Sequence, residues 1–381
     1  MSERNEISRV VLRNYKSIRS CDVSLGPITF LVGPNGAGKS NFVEALRFLS
    51  YGLSNSLESA LDNRSGFRSI VHRGADKEAV SIDVFFRLED ERKGNYLVEI
   101  GALENGTATV RREECSVGGE WFKVGEGVVK SNQGLTPAAS QEKLYLVNAS
   151  GLAAFEPVYR ALSNVKVYNP VPDQIRGIKS AVTFAYLNRL ADNLAQTIFK
   201  LKASAPERLS RVIDYLRRIN PGLLNIDAGT ADDSFYLRFE MDRGSGIGEE
   251  FHTQNISDGT LRALAVLVAL FQTSDRYPLT LIGLEEPEAG LHPAAGGVLF
   301  DSLMEASQFR QVVVTSHSPD LLDREDIPEN SLKAVEMCDG GTIIGEVDEA
   351  GRSALRERLY TAGELMRMGQ LRPECVPDCV R

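Results

Sequence analysis

Ile28-Thr29-Phe30-Leu31-Val32-Gly33-Pro34-Asn35-Gly36-Ala37-Gly38-Lys39-Ser40 is the stretch that decides the fold. Ile28–Val32 is a short continuous apolar run, as expected of a strand buried on both faces. It breaks at Gly33-Pro34-Asn35-Gly36, and beyond Ser40 a helical pattern begins, with Phe42, Ala45, Leu46 and Leu49 on one face. Gly33 to Ser40 fits G-x-x-x-x-G-K-[ST] without exception. Glycines at these positions let main-chain N–H groups turn inward around a β-phosphate, and the following helix adds the positive end of its dipole. Lys39 supplies a point charge and the Ser40 hydroxyl is a ligand for Mg²⁺. A buried strand before the loop and an amphipathic helix after it are the context a nucleotide-binding loop requires.

Working outward, Ile7–Asn14 and Ser20–Leu25 alternate as half-buried strands do. Residues 80–125 hold strand-like runs separated by Gly, Asn and charged turns, which predicts an antiparallel sheet. Residues 126–140, rich in Gly, Ser and Asn, read as a loop. Between 179 and 220 the period becomes helical. Leu187, Leu190, Leu194, Ile198 and Leu201 mark one helix and Leu209, Val212, Ile213 and Leu216 a second, with Ala205-Pro206 at the break and Pro221-Gly222 at the end. A strand pair joined by the turn Arg243–Gly248 follows, and the rest alternates helix and strand.

Two later strands end in chemically informative residues. Leu279–Leu284 runs into Glu285-Glu286-Pro287-Glu288, and adjacent carboxylates at a buried strand end are costly unless they face a cation or water. Beside a phosphate loop, Glu285 suits the metal ion and Glu286 suits a general base for the attacking water. Gln311–Thr315 ends at Ser316-His317-Ser318-Pro319, which puts His317 at a strand's C-terminal end, where α/β proteins bind ligands. Ser257-Asp258-Gly259-Thr260 precedes the apolar helix that starts at Leu261. Ser257 and Gly259 read either as a further anion site or as an ordinary helix cap.

Together these residues resemble the SMC/RecF-like group of ABC-type ATPases. The likeness rests on LRNYKSIRSCDVSLGPITFLVGPNGAGKSNFVEALRFL at the start, and on NISDGTLRALAVL, LIGLEEPEAGLHP, VVVTSHSP and LYTAGELMRMGQL toward the end. Residues 50–220 carry little of it. The resemblance implies an α/β P-loop NTPase head, a mixed sheet flanked by helices plus an antiparallel β lobe. It divides the chain into residues 1–178, the first part of the head; 179–221, a short helical insertion; 222–350, the second part; and 351–381, a helical tail.

It also implies ATP and Mg²⁺ as cofactors and a homodimer that closes head to tail on ATP. Gly33, Pro34, Asn35, Gly36, Ala37, Gly38, Lys39 and Ser40 of one subunit would hold the nucleotide. Ser257 and Gly259 of the other would contact its γ-phosphate. Ala289–His292 would cross the interface, with Glu286, His317 and Lys39 catalytic and Ser40 and Glu285 on the metal.

The sequence departs from the group in places. The interval between Lys39 and Ser257 holds no sustained heptad pattern, so no long coiled-coil arm is expected. Residues 318–381 show no clustered acidic metal site beyond Asp348-Glu349, so the nuclease of overcoming-lysogenization-defect relatives is not expected here. The glutamine that senses Mg²⁺ in the group has only Gln133 and Gln141 as candidates.

The expected role is an ATP-gated dimeric switch in anti-phage defence or DNA maintenance, acting with a separate effector protein. The alternative is a stand-alone RecF-like DNA-binding repair protein. Its cations would come from Arg4, Arg9, Arg13, Lys16 and Arg19, or from Arg208, Arg211, Arg217 and Arg218. A transporter ATPase subunit fits the NYKSIRS start and the GLHP segment less well.

Composition bounds the rest. The net charge of −9 argues against a dedicated polyanion-binding surface, though not against a local basic groove. No run approaches the roughly 18 apolar residues that span a bilayer, and MSERNEISRV lacks a signal peptide's apolar stretch. Scattered Cys21, Cys115, Cys338, Cys375 and Cys379 imply no disulfide framework, and Cys375 with Cys379 is too sparse a set for zinc. A cytoplasmic setting follows as the expectation.

Overall fold

A computed structural model describes residues 4–374 apart from 75–78, 104–106, 135, 141, 178–184, 233, 243, 245 and 274–277. Gln141, Cys375, Cys379 and part of the 243–248 turn therefore lie outside the described residues.

The chain opens with a hairpin, β1 (Glu6–Tyr15) and β2 (Ile18–Ser24). β3 (Ile28–Val32) then leads through the glycine-rich loop into α1 (Lys39–Ser54) and α2 (Leu57–Asp62). Five antiparallel strands follow: β4 (Ala79–Arg87), β5 (Lys93–Ala102), β6 (Ala108–Val117), β7 (Glu120–Gly125) and β8 (Val128–Ser131). With the hairpin they form a seven-stranded sheet in the order β2-β1-β4-β5-β6-β7-β8. β8 falls inside the segment read from composition as a loop. Val128 and Val129 pair with Gly125 and Val124 across a Glu126-Gly127 turn, and turn-rich composition hid this short edge strand.

Next come α3 (Tyr145–Ala149), α4 (Glu156–Ser163), β9 (Val165–Tyr168), α5 (Pro172–Arg176), α6 (Leu194–Ser204) and α7 (Pro206–Ile219). The first predicted helix of the pair is shorter than its apolar spacing suggests, because Leu187 and Leu190 precede it in a turn. Ala191 adopts a left-handed φ of 62°. The Asn193 side chain closes the turn, accepting from Asn188 N at 2.7 Å and donating to Tyr186 O at 2.9 Å. A positive φ cannot propagate a right-handed helix, so α6 starts at Leu194.

A three-stranded antiparallel sheet follows, from β10 (Leu223–Ala231), β11 (Ser234–Asp242) and β12 (Gly248–His252). α8 (Asp258–Phe271), β13 (Leu281–Glu285), α9 (Gly296–Ser307), β14 (Gln311–Ser316) and α10 (Pro319–Leu322) continue the chain. It ends with β15 (Leu332–Cys338), β16 (Gly341–Glu346), α11 (Glu349–Arg356) and α12 (Ala362–Arg367). Thr361 caps α12 in a reciprocal box with Glu364.

The six-stranded sheet, β16-β15-β3-β14-β13-β9, is the centre of the molecule. All its neighbouring strands are parallel except β16 against β15. Residues of β3, β13 and β14 are buried on both faces, which explains why they read as continuous apolar runs. Alternate side chains enter opposite cores. Phe30, Val312 and Val314 join the side of α6, α7, α8 and α9, while Leu31 and Val313 join α1 and the seven-stranded sheet. α8 is apolar nearly all round and sits in the middle of its core, as such a helix must. The α/β head with a mixed sheet and antiparallel β lobe is thus borne out. Among the described residues no helix is long and apolar enough to cross a membrane.

Candidate functional site

Parallel register fixes where the strand ends fall. Glu285 pairs with Thr315, Thr315 with Leu31, and Ser316 with Val32. The glycine-rich loop, the acidic segment and the histidine segment therefore leave the sheet from one edge, the C-terminal edge where open α/β sheets bind ligands.

The loop itself is packed from behind. A Cβ on Gly33 would lie 2.0 Å from Val335 O, and one on Gly38 would lie 2.0 Å from Thr342 Oγ1. Gly38 also has φ 99°, so both space and backbone demand glycine there. Thr342 Oγ1 donates to Ala37 O at 2.8 Å and lies 2.6 Å from Ser17 Oγ, which accepts from Asn41 Nδ2 at 2.7 Å. The β1–β2 turn, the Asn14–Ser17 part of the resemblance, is thereby a brace for the loop. Lys39 Nζ, on a residue only 4% exposed, donates to Gly33 O and Pro34 O at 2.8 and 2.9 Å. Burial lowers its pKa, with the charges of Glu286 and Glu288 opposing the shift. Lys39 Nζ is thus held by two main-chain oxygens of its own loop.

The acidic segment is strained at Glu286, whose φ of 45° is left-handed. Its N–H is held by Thr315 O at 3.0 Å. Such a conformation in a non-glycine residue costs of order 1–3 kcal/mol and persists where surrounding contacts over-determine it. His317 Nδ1 approaches Glu286 Oε1 to 3.2 Å, yet among the described residues has no partner with hydrogen-bond geometry. Glu288 is buried and accepts from Ser316 Oγ at 2.5 Å, while its Oε2 has no partner among the described residues. Burial raises its pKa against the Ser316 bond. The sequence reading assigned Glu288 nothing.

Residues far away in the chain complete the edge. Tyr168 of β9 pairs with Leu284, so Asn169 stands level with Glu285 and donates from Nδ2 to Glu285 Oε2 at 3.3 Å. Arg189 Nη2 lies 3.2 Å from Glu285 Oε1. Arg262 of α8 donates to Asn169 Oδ1 at 3.0 Å, Pro170 O at 2.9 Å and the main-chain oxygens of Glu285 and Glu286 at 3.3 and 3.2 Å. Gln133 is not part of this constellation. It lies past β8, the last strand of the seven-stranded sheet, with its amide on Glu120. The side-chain amide beside Glu285 is that of Asn169, and the only signal in the sequence was the end of the Val165–Tyr168 strand.

Ser257 caps α8, its Oγ accepting from Thr260 N at 3.3 Å. Gly259 is set against the loop after the acidic segment: a Cβ there would lie 2.4 Å from Gly290 O. Ser257 and Gly259 form no hydrogen bond to Gly33–Ser40 among the described residues, whereas Glu285, Glu286 and His317 share the edge with that loop. Many proposed DNA-facing cations are already engaged: Arg211 with Glu305, Arg218 with Asp301, Arg217 with Asp214, Arg9 with Asp22 and Arg4 with Glu6.

The residues fit Mg²⁺ held in the usual way, by one or two protein oxygens plus substrate phosphates. Ser40 follows Lys39 at the start of α1, Glu285 ends β13, and both offer hard oxygen donors. No group of three or more metal-binding side chains occurs among the described residues, and such a site needs none.

A family model described as "AAA domain, putative AbiEii toxin, Type IV TA system" matches residues 28–323. The DNA replication and repair protein RecF of Vibrio vulnificus is 41% identical over 59 residues, 15% of this chain and 16% of that protein. The OLD nuclease of Thermus scotoductus is 22% identical over 374 residues, 92% of this chain and 66% of that protein. The chain thus spans less than two thirds of either relative. Among solved structures, an SMC head bound to the C-winged helix domain of ScpA superposes with a TM-score of 0.57 at 15% identity, covering 91% of this chain and 99% of that one. The Pyrococcus furiosus Smc head with an extended coiled coil, bound to the C-terminal domain of ScpA, gives 0.56 at 13%, covering 93% and 99%. At these identities the likeness shows the fold.

Proposed function

The chain belongs to this AAA-domain family, with an SMC/RecF-like ABC-type head, and on that premise we propose that it binds and hydrolyses ATP and closes into a dimer when ATP is bound. The observation that carries the reading is the shared strand register, which delivers the glycine-rich loop, Glu285, Glu286 and His317 to one sheet edge.

Lys39 exchanges the carbonyls of Gly33 and Pro34 for phosphate oxygens, while the loop N–H groups and the start of α1 hold the β-phosphate. Ser40 and Glu285 would hold Mg²⁺, which supplies charge neutralisation on the phosphates. Glu286 accepts a proton from the attacking water, and His317 orients that water or the γ-phosphate, a role its 3.2 Å approach to the Glu286 carboxylate supports. Ser257 and Gly259 at the start of α8 complete the site across a head-to-tail interface, with Ala289–His292 alongside. The closed dimer is then read by a separate effector in anti-phage defence or DNA maintenance. Engagement of Arg4, Arg9, Arg211, Arg217 and Arg218 in ion pairs supports this switch over a RecF-like DNA groove.

The test is the molar mass of the Glu286→Gln protein with and without Mg-ATP. A doubling on ATP is the expected result. A mass that ATP leaves unchanged, with nucleotide demonstrably bound, removes the dimeric switch.

A further inference from the structure

We propose that the groove along β9 is a second anion site, for an organic phosphate of mononucleotide size, coupled to the sheet-edge site through Arg189. The coupling rests on the Mg²⁺ role proposed above for Glu285; the site itself does not.

A cavity of about 360 Å³ runs beside β9, the last strand of the six-stranded sheet, between the far turns of α1 and residues 185–189. Arg47, Lys166 and Arg189 line it, and among the described residues no carboxylate does. Tyr51 and Tyr186 supply aromatic walls. The volume falls in the small-molecule range, where apolar walls and a few convergent polar groups define a ligand. Arg47 lies seven residues beyond Ser40 on α1, a rise of roughly 10 Å, so a triphosphate on the glycine-rich loop does not fill this cavity.

Lys166 and Arg189 are incompletely answered by the described residues. Lys166 Nζ reaches only the main-chain oxygen of Ser163, at 3.2 Å, and has no ion-pair partner among the described residues. Burial alone lowers its pKa. A desolvated ammonium without a counter-charge is unfavourable, and a bound anion would relieve it. Arg189 makes a loose pair with Glu285, at 3.2 and 3.4 Å, and its buried Nε has no partner among the described residues. Arg47 is held by Glu44 at the border.

Arg189 is the link. It lines the cavity and touches Glu285 through Nη2 alone, so a cavity phosphate that recruits that nitrogen competes with the carboxylate for it. An anion in the groove draws Arg189 off Glu285 and frees the carboxylate for the metal. By linkage, Mg-ATP at the sheet edge tightens the anion by the same factor.

Equilibrium dialysis of the full chain with adenosine 5′-monophosphate tests both halves. In Lys39→Ala, whose phosphate loop is disabled, one monophosphate should bind per chain, and adding Lys166→Met or Arg189→Gln should weaken it by at least about tenfold. Lys166→Met removes a buried charge, so its fold should persist, which circular dichroism checks. Failure of Lys39→Ala to bind overturns the site whatever the fate of the ATPase reading. In Glu286→Gln saturated with Mg-ATP, affinity for the monophosphate should rise about fivefold or more. Unchanged affinity there overturns the coupling alone. Inorganic pyrophosphate is the second probe, and binding as tight as the nucleotide's would overturn the part given to the tyrosine walls.

Discussion

Arg262 Nη2 donates to the main-chain oxygen of Glu286 at 3.2 Å, tying the helix that opens at Ser257 to the strand end that carries the proposed base. The same nitrogen holds Asn169 Oδ1 at 3.0 Å, and Asn169 in turn holds Glu285. One guanidinium thus fixes three elements that are remote in sequence. Burial lowers its pKa, and the charges of Glu286, Glu288 and Glu285 oppose that shift.

Removing this tie should affect turnover more than binding. Arg262→Met leaves its four oxygen partners without that donor, at a cost of about 1–3 kcal/mol in stability. Displacement of Glu286 by a fraction of an ångström should lower kcat about 10- to 100-fold, with KM for ATP changed less than about threefold. Steady-state kinetics on the folded variant separates the two. Equal losses in kcat and in affinity would mean that Arg262 only supports the fold.

Lys39 and Ser40 should fail differently. Lys39→Ala removes the buried charge that answers phosphate and should weaken nucleotide binding at least about 100-fold. Ser40→Ala should keep nucleotide but need about tenfold more Mg²⁺ for half-maximal turnover. Titration calorimetry for the first, and a Mg²⁺ titration of hydrolysis against a chelator control for the second, check each. Wild-type nucleotide affinity in Lys39→Ala would remove the phosphate loop from the mechanism.

Glu113 makes stability fall as pH rises. Its carboxylate is fully buried and accepts from Tyr96 Oη, Tyr145 N and Leu146 N, pinning the start of α3 to the antiparallel sheet. Burial raises its pKa from 4.5 to about 7, against those hydrogen bonds. The native state therefore keeps a proton that the unfolded chain has released. The contribution is complete below about pH 4.5, declines as pH rises and is lost by about pH 7, for a total of about 3 kcal/mol. Denaturant midpoints should fall over that window in the wild type. Glu113→Gln, less stable throughout by about 1–3 kcal/mol, should lack this part of the slope. Identical slopes in the two proteins would show that Glu113 is ionised in both states.

Particular residues show how far the sequence reaches. The loop from Gly33 to Ser40 was legible because its chemistry is contiguous, and the glycine at position 38 is required by its own φ and by Thr342 behind it. Glu285, Glu286 and His317 were legible because each ends an apolar strand. Asn169, Arg189 and Arg262 were not. Nothing local distinguishes an asparagine after a four-residue strand, an arginine in a turn, or an arginine on an otherwise apolar helix. The leucines at 187 and 190 misled for the converse reason, since their helical spacing is real but the left-handed Ala191 and the Asn193 side chain end the helix before it reaches them.

The sequence by itself determined the glycine-rich loop, the buried strands and the acids at their ends, because all depend on neighbours within a few residues. Only the tertiary structure decided which residues surround Glu285. Strand order places β9 beside β13, and register sets Asn169 level with the carboxylate. Both are long-range pairings, fixed by burial of two cores on opposite faces of one sheet rather than by any local pattern.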